Sequence, residues 1–403
     1  MILSFSVENF RSFGDEARIS FVAGTRSTDH AGHLAQIPES DQKVLRTSVL
    51  YGANGAGKSN LFRAMQIARD LAIGNILGIQ PSPLQPFKFQ KTDVSCSKFE
   101  ITFVSESRIY RYRIQVSARA VHRESLDWVR KGSFEPIYER TVREGVSEIT
   151  FGLAYGEIAP EKVRAQGVAG VSDTRSFLAL LCENVALQGV GAEIASAYRW
   201  FRDLQFIGPE SIHNSLVEVY SDDSFRRFAE EILENATGVR GLRIRDQILT
   251  ADEVRRMVRP DFAVGTLANL TSPSVVAMTM KNGMGSEIQV RKNPDSTFTA
   301  FELDAEHDLE SGRSGFLDLG DESDGTKRLI HLLPALYRVM REDRVCVIDE
   351  VDRSMHALLS RSFLRKFLGN PTRGQLILTT QEDSLLDAEI FRLRPGLQLG
   401  GRQ

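Results

Sequence analysis

The sequence predicts an α/β protein in which a phosphate-loop sheet is joined to an antiparallel β lobe and carries an inserted helical and mixed segment. Three observations support this prediction. An apolar run at 47–51 leads into a glycine-rich loop and then a helical pattern. Residues 99–149 alternate repeatedly between apolar and polar side chains, as short antiparallel strands do. A second apolar run, Val345–Ile348, ends in two carboxylates.

Length, charge and cysteine spacing limit the kind of protein this is. A chain of 403 residues can bury a large core and is expected to form two lobes or domains. The net charge of −3 gives no global electrostatic reason to expect a nucleic-acid partner, although a local patch stays open. Uncharged apolar runs stay shorter than about 18 residues, so no membrane span is expected. The three cysteines show no metal or redox spacing, and the first apolar stretch carries Glu8 and Arg11, so we expect a cytoplasmic protein without a signal peptide.

The first elements are predicted from alternation. Leu3, Phe5 and Val7 alternate with polar neighbours, which predicts a strand with one buried face, and 17–22 predicts a second strand in a hairpin-like start. Residues 24–46 are polar and rich in glycine, serine and aspartate, and we expect a loop there.

The next stretch, Gly52–Ser59, fits the phosphate-loop pattern Gly-x-x-x-x-Gly-Lys-Ser/Thr. Its glycines let the backbone turn N–H groups toward a phosphate, and the helix predicted for 60–70 directs its dipole at the same anion. The lysine supplies a charge near the β- and γ-phosphates of ATP, and the serine supplies a hydroxyl to Mg²⁺. The predicted nucleotide-binding residues of this stretch are Gly52, Asn54, Gly55, Gly57, Lys58, Ser59 and Asn60. A glycine-rich turn that binds nothing is disfavoured by the strand and helix that flank it.

Two basic stretches leave alternatives open. In 108–113, arginines alternate with Tyr110 and Tyr112. This alternation indicates a strand with its tyrosines buried and its arginines on the solvated face. The alternative is an aromatic and basic contact patch. Residues 255–259 carry three arginines, and a solvated face is again favoured over a DNA contact.

The rest of the chain divides into a helical and mixed middle and a C-terminal α/β part. Helices are predicted at 176–182, 192–204 and 225–233, and short strands over 238–304. The C-terminal elements are a strand at 316–319, a helix from 322 to about 340 with a kink at Pro334, a strand at 345–350, a helix at 354–367 and a strand at 375–379. We therefore expect the two halves of the nucleotide-binding domain at 1–150 and 315–403, with an inserted subdomain at 151–314.

Two further motifs carry chemistry. Parallel strands end at the same sheet edge, so Asp349 can hold Mg²⁺ through water beside the phosphate loop, and Glu350 lies one step further, where it can polarise the attacking water. Ser323 and Gly325 stand at a predicted helix start, which makes a second anion site. For Asp349 and Glu350, the alternative is a strand end that meets solvent. For Ser323 and Gly325, the alternative is an ordinary capped helix.

These motifs, in this order, resemble those of the AAA/ABC-type ATPases of the SMC, RecF and OLD superfamily. More narrowly, the chain is similar to bacterial AAA family ATPases associated with abortive infection and phage defence. The residues that carry the resemblance are Asn9–Phe13, Gly52–Ser59, Glu322–Arg328 and Val347–His356, the last including the family's D-loop around 352–356.

The resemblance implies an ABC-type ATPase head and a composite site. One copy would bind ATP and Mg²⁺ through Lys58, Ser59 and Asp349, with Arg11 also contacting the nucleotide, and a second copy would close the site with its helix tip at 323–325. ATP then holds together a homodimer or higher oligomer, and hydrolysis through Glu350 releases it.

The chain departs from the family pattern in two places. The family usually has Thr-Thr-His after the final strand, with the histidine on the γ-phosphate, whereas here Gln381 follows and can hydrogen-bond but not carry charge, so we expect slow or partner-dependent hydrolysis. Family members generally continue beyond the position of Asp387, so a shortened C-terminal element is expected. Gln85 and Gln90 both lie near the connector where the family has a glutamine that senses the γ-phosphate, and the choice between them stays open.

Three functions compete. The first is a defence ATPase that senses infection and controls a separate effector, a nuclease or a toxin, because no nuclease cluster is visible in the chain. The second is a RecF-type DNA-repair ATPase, which leaves DNA open as a partner although the acidic balance argues against it. The third is a scaffold that binds ATP with negligible hydrolysis, which Gln381 keeps open.

Overall fold

A computed structural model describes residues 1–24, 31–74, 82–89, 96–143, 145–168, 171–184, 189–209, 222–257, 277–281, 287–309 and 312–385. The strands are β1 (Ile2–Glu8), β2 (Ala17–Ser20), β3 (Leu34–Gln36), β4 (Lys43–Leu45), β5 (Thr47–Tyr51), β6 (Ser97–Ser105), β7 (Arg108–Val116), β8 (Val121–Arg130), β9 (Ser133–Arg143), β10 (Val146–Phe151), β11 (Gln205–Ile207), β12 (Gly241–Leu249), β13 (Ala277–Lys281), β14 (Glu287–Lys292), β15 (Phe298–Asp308), β16 (Ser314–Asp318), β17 (Val345–Ile348) and β18 (Gln375–Thr380). The helices are α1 (Lys58–Ala72), α2 (Leu153–Gly156), α3 (Glu161–Val168), α4 (Phe177–Asn184), α5 (Ala192–Asp203), α6 (Asp223–Thr237), α7 (Ala251–Met257), α8 (Asp324–Arg341) and α9 (Ala357–Leu368).

A four-stranded parallel sheet, in the order β11-β17-β18-β5, positions the site. Strands β17 and β18 are buried along their whole length, as expected for apolar runs covered on both faces. Because the four strands are parallel, their carboxyl ends meet at one edge. The predicted α/β class, with a phosphate-loop sheet beside an antiparallel lobe, is confirmed.

A seven-stranded antiparallel sheet, in the order β10-β9-β8-β7-β6-β1-β2, forms the second lobe. One face packs on α5, where Trp200 stacks on Phe103 with ring centroids 4.0 Å apart. Tyr110 and Tyr112 are buried on this face, whereas Arg111 and Arg113 lie on the other and pair with Asp127. The predicted alternation of buried tyrosines and outward arginines is therefore confirmed.

Strands β12 to β15 of a third sheet fall within the predicted insert, whereas β16 crosses its predicted end at residue 314. Strand β15 pairs with β12 on one side and with β14 and β16 on the other. Strand β16 leads through a 3₁₀ turn at 319–321 directly into α8. This sheet is therefore continuous in the chain with the helix tip that carries Ser323.

Several predicted boundaries were wrong. The loop expected at 24–46 contains the β3–β4 hairpin, and β11, a strand of three residues inside 151–314, joins the parallel sheet. Strand β17 ends at Ile348, so the two carboxylates lie in the following turn. Helix α9 begins three residues late, because His356 Nδ1 accepts from Leu358 N–H and caps it. Of the basic cluster at 255–259, Arg256 is exposed on α7, and residues 258 and 259 lie outside the described residues.

Helix α8 continues through Pro334 to Arg341 and buries most of one side. Across the described ranges, no helix combines the length and apolar character that crossing a membrane requires.

Candidate nucleotide-binding site

The phosphate loop connects β5 to α1 and has the backbone conformation that its glycines allow. Gly55 and Gly57 have φ values of 81° and 94°, a region that side chains disfavour. Helix α1 begins at Lys58 with no side-chain cap and no acidic residue in its first turn. Its first N–H groups are therefore available to an anion, as a phosphate site requires.

Lys58 is buried, with 6% of its surface exposed. Its ammonium donates to the carbonyl oxygen of Gly52 and, at 3.0 Å, to that of Ala53. The loop thus folds around the cation, which holds the positive charge at its centre. A triphosphate would present stronger, anionic acceptors to the same ammonium.

A hydroxyl from the final strand joins the two acidic residues. Thr379 Oγ1 donates to Asp349 Oδ1 at 2.5 Å and accepts from Glu350 N–H at 2.8 Å. Asp349 Oδ1 also lies 3.3 Å from Ser59 Oγ, although the two residues are 290 positions apart in the sequence. The structure thus brings together the two predicted metal-side residues and fixes the backbone of the predicted base.

The side chain of Glu350 is held more loosely than that of Asp349. Its carboxylate accepts from Gln381 Nε2 at 3.2 Å and lies 3.9 Å from Arg353 Nη1. Glu350 also has a φ of 49°, a left-handed conformation that costs a non-glycine residue on the order of 1 kcal/mol. Strain of this kind accumulates at functional sites.

The turn at 9–13 docks on the phosphate loop. Asn60 Nδ2 donates to Ser12 Oγ at 3.0 Å, and a Cβ placed on Gly57 would lie 3.3 Å from the same oxygen. Arg11, with a φ of 51°, donates its N–H to the carbonyl of Gln85 at 2.8 Å. Burial lowers the pKa of Arg11, and Arg63 beside it lowers that pKa further. Such a cation, next to a like charge and the phosphate loop, suits an anionic ligand.

The helix tip at 323–325 is well formed. Ser323 Oγ accepts from Thr326 N–H at 3.1 Å and caps α8. A Cβ on Gly325 would lie 2.9 Å from the carbonyl oxygen of Ser354, so glycine is required for this tip to pack on the D-loop. These contacts place Gly325 against Ser354 and Leu359 of its own chain.

The predicted residues thus fall into two sets. The first set converges at the carboxyl edge of the parallel sheet: Arg11, Gly52, Gly55, Gly57, Lys58, Ser59, Asn60, Asp349, Glu350 and Gln381. The second set, Ser323 and Gly325, lies at the tip of α8. Asn54 is exposed at the tip of the loop. Gln85 is exposed beside the turn at 9–13, and Gln90 lies outside the described residues.

Sequence reasoning missed Thr379 and Ser12. Thr379 is fully buried at the end of an apolar strand, and a hydroxyl at such a position was the available signal. Ser12 lies within the Asn9–Phe13 stretch that carries the resemblance, but its contact with Asn60 was not predicted, because it joins distant parts of the chain.

The oxygen atoms at this edge suit Mg²⁺. Ser59 and Asp349 supply a hydroxyl and a carboxylate, the hard oxygen ligands that this ion prefers. Mg²⁺ usually keeps several waters and takes substrate phosphates, so two protein ligands suffice. The described ranges contain no group of three or more His, Cys, Asp or Glu residues that could hold a metal by themselves.

Comparison with known proteins gives a matching family model and many similar solved structures, among them three SMC heads. The family model described as "AAA domain, putative AbiEii toxin, Type IV TA system" matches residues 48–153 and 201–387. The SMC head domain from Thermotoga maritima is 15% identical, with a TM-score of 0.40, and the match covers 96% of this chain and 90% of that one. A search of curated proteins finds no match.

Two SMC heads solved with a partner have a similar identity, TM-score and coverage. An SmcHead bound to the C-winged helix domain of ScpA is 13% identical, with a TM-score of 0.39, and the match covers 96% of this chain and 91% of that one. An Smc head domain with an extended coiled coil, bound to the C-terminal domain of ScpA derived from Pyrococcus furiosus, is also 13% identical. Its TM-score is 0.41, and the match covers 96% and 90% of the two chains.

Proposed function

This chain belongs to the AAA-domain family whose model it matches, and we propose that it is an ATP-hydrolysing switch that works as a pair of copies. Family membership confirms the resemblance to AAA/ABC-type ATPases. One observation carries the proposal of hydrolysis: Ser59, Asp349, Thr379 and Glu350 are linked by hydrogen bonds at the edge where the phosphate loop opens. A fold that bound no nucleotide would have no need to bury Asp349 beside a loop serine.

In the proposed mechanism, Lys58 and the first N–H groups of α1 hold the phosphates. Ser59 and Asp349 would hold Mg²⁺, which would neutralise charge on the phosphates. Glu350 takes a proton from the attacking water, and Gln381 keeps the carboxylate of that base oriented through its amide. Because the amide of Gln381 stays neutral, the chain lacks the charge that a histidine could add here, and hydrolysis is slow.

The second copy completes the site. The tip of α8 offers Ser323 and the N–H groups around Gly325, but it packs on the D-loop of its own chain. In this proposal, a phosphate bound in one copy meets the tip of α8 from the other, as the resemblance to ABC-type ATPases implies. ATP then favours the closed pair by its higher affinity for that state.

The biological role we propose is control of a separate toxic effector in defence. The support is the family description, which names a toxin of the AbiEii type and a type IV toxin–antitoxin system. A RecF-type repair role is the second candidate and requires a DNA surface. DNA binding whose affinity falls steeply as the salt concentration rises would favour the repair role. Toxicity that appears only when a neighbouring gene is co-expressed would favour the defence role.

The central experiment compares three variants for ATP binding, hydrolysis and oligomeric state. Lys58→Ala should lose ATP binding, because the buried ammonium is removed from the loop. Glu350→Gln should bind ATP, lose hydrolysis by about 10²–10⁴-fold and accumulate as a closed pair. Glu382→Gln, an exposed acid on the same edge, is the matched control and should behave as the wild type. Wild-type hydrolysis by Glu350→Gln would refute the assignment of the base.

A further inference from the structure

A short aromatic segment, residues 85–89, lies beside the turn at 9–13, and we call it the strap. It ends in Phe89, which is 82% exposed. The Phe89 ring contacts that of Phe87, with ring centroids 5.7 Å apart and ring planes at 65°. A single exposed ring is ordinary on a protein surface, so its meaning depends on where the fold holds it.

Hydrogen bonds and ring packing fix the strap to the turn. The N–H of Arg11 donates to the Gln85 carbonyl at 2.8 Å. The N–H of Phe87 donates to Asn9 Oδ1 at 3.0 Å. The ring of Phe87 lies on Gly14, where a Cβ would come within 2.9 Å of it. The strap is therefore held to the turn through its backbone and through a side chain.

The same turn also contacts the phosphate loop. Ser12 Oγ accepts from Asn60 Nδ2 at 3.0 Å and would lie 3.3 Å from a Cβ on Gly57. Successive Cα atoms are about 3.8 Å apart, so Ser12 lies at most about 8 Å from Gly14, which carries the Phe87 ring. This span is shorter than the ribose and base of a nucleotide. A nucleotide held by its phosphates can therefore extend from the loop to the strap.

The backbone and the cation of the turn also favour a ligand here. Asn9 and Arg11 have φ values of 52° and 51°, a left-handed conformation that is costly for residues other than glycine. Within the described ranges, the Nε of Arg11 is buried and has no hydrogen-bond acceptor. A buried donor without a partner is costly, and a phosphate oxygen would supply the missing acceptor. The turn thus offers a cation to the phosphates, and the strap offers a ring to the base.

We propose that Phe89 is a specificity-determining residue that stacks on the base of the nucleotide whose phosphates lie in the loop. This inference rests on the proposed function and names the class of substrate, a nucleoside triphosphate that is bound through its base as well as its phosphates. Stacking uses the face of the base and not its edge. The contact therefore favours the larger purines and distinguishes little between adenine and guanine.

Binding measurements on the full chain test this contact, with Mg²⁺ and either a non-hydrolysable ATP analogue or inorganic tripolyphosphate. Phe89→Ala should weaken binding of the ATP analogue about tenfold to a hundredfold, and binding of the matching GTP analogue equally, because the stacking contact is lost. Its affinity for tripolyphosphate should be unchanged. Phe89→Tyr keeps an aromatic face and should bind the ATP analogue as the wild type does.

The matched control is Phe134→Ala, which removes a partly exposed ring from the antiparallel lobe and should match the wild type with every ligand. Because the Phe89 ring is mostly exposed, its substitutions should leave thermal unfolding unchanged. Equal affinity of Phe89→Ala and the wild type for the ATP analogue would refute the inference. Equal weakening of the ATP analogue and tripolyphosphate would also refute it, because the change would then act on the phosphate loop.

Other binding partners of the ring give different results. If Tyr51→Ala, and not Phe89→Ala, weakened the ATP analogue alone, stacking would belong to Tyr51, which is 47% exposed directly before the loop. If Phe89→Ala kept its affinity for the ATP analogue and lost binding of a single-stranded DNA oligomer, the ring would be a nucleic-acid contact. Either result would overturn the inference.

A fluorescent reporter at the same position gives a second readout. Phe89→Trp places an indole on the exposed strap, whereas the two native tryptophans, Trp128 and Trp200, pack against other rings. The emission of this variant should change with the ATP analogue and stay constant with tripolyphosphate. An equal change with both ligands, or no change with the ATP analogue, would contradict stacking. A wild type that bound neither ligand would instead refute the proposed function, so the two failures are distinguishable.

Discussion

The antiparallel lobe and the phosphate-loop edge both bury carboxylates beside cations, yet they use their polar atoms differently. In the lobe, Glu124 accepts from the hydroxyl of Tyr138 at 2.7 Å and from the N–H groups of Phe177 and Leu178 at 2.6 and 3.1 Å. Arg140 donates to two backbone carbonyls at 2.7 Å and lies 3.5 Å from Glu124. Both side chains are completely buried, and each has several partners.

At the phosphate-loop edge, some buried polar groups keep hydrogen-bonding capacity that no other described element of the fold uses. Lys58 donates only to carbonyls of its own loop, two nitrogens of Arg328 have no acceptor in the described ranges, and Glu350 has a left-handed backbone. Buried charge alone therefore does not indicate a ligand site. A cluster whose donors and acceptors are all used joins elements of the fold, whereas one with unused donors is arranged for a ligand or a movement.

The largest effect on stability is expected from Glu124→Ala. The substitution leaves Arg140 as a buried charge and removes the acceptor for the first N–H groups of α4. We expect a loss of about 3–5 kcal/mol in the free energy of unfolding, measured by urea denaturation, with ATP affinity unchanged in the folded fraction. Glu135→Ala, a partly exposed acid on the same lobe, should change stability by less than about 0.5 kcal/mol. Equal losses in both would contradict the comparison.

At the phosphate-loop edge, Thr379→Val should lower the rate of hydrolysis more than the stability of the fold. Valine has the shape of threonine but cannot bridge Asp349 and the N–H of Glu350. We expect kcat to fall about tenfold to a hundredfold and the free energy of unfolding to fall by about 1–3 kcal/mol. Thr372→Val, a buried threonine that donates to the Val339 carbonyl, should lose similar stability without loss of kcat. If both variants lost kcat equally, Thr379 would have no special role.

The sequence predicted the parts of this site that depend on local pattern. The phosphate loop, the acidic strand end and the capped helix at Ser323 each lie within a dozen residues, and their spacing reflects backbone geometry. The alternation at 108–113 likewise placed Tyr110 and Tyr112 inward, because side chains of a strand alternate between faces.

The missed features depend on contacts between distant segments. Strand β11 has three residues, too few to show a period, and it is defined by its pairing with β17. Thr379 matters because its hydroxyl reaches Asp349, 30 positions away. Gly325 was assigned to anion binding, but the close approach of the Ser354 carbonyl gives it a packing role as well, which no local pattern encodes.

A smaller effect, of opposite sign, is expected from Gln381→His. Histidine can keep a donor toward Glu350 and can also carry the charge that glutamine lacks. We expect ATP hydrolysis to rise about tenfold under single-turnover conditions, and Gln381→Ala to lower it. A rate for Gln381→His at or below that of the wild type would mean that Gln381 is adapted to hold Glu350 and does not limit hydrolysis.

The smallest effect is expected on the outer face of the antiparallel sheet. Arg111 and Arg113 pair with Asp127 at 2.9 and 3.0 Å, and both are partly exposed, so solvent weakens these interactions. Replacing either by glutamine should cost about 0–1 kcal/mol in the free energy of unfolding. Because their charges already have a carboxylate partner, the double variant should leave the salt dependence of any DNA binding unchanged. A decrease of about two in the slope of log K against log salt would instead show that both arginines contact phosphates, and this face would then be a DNA surface.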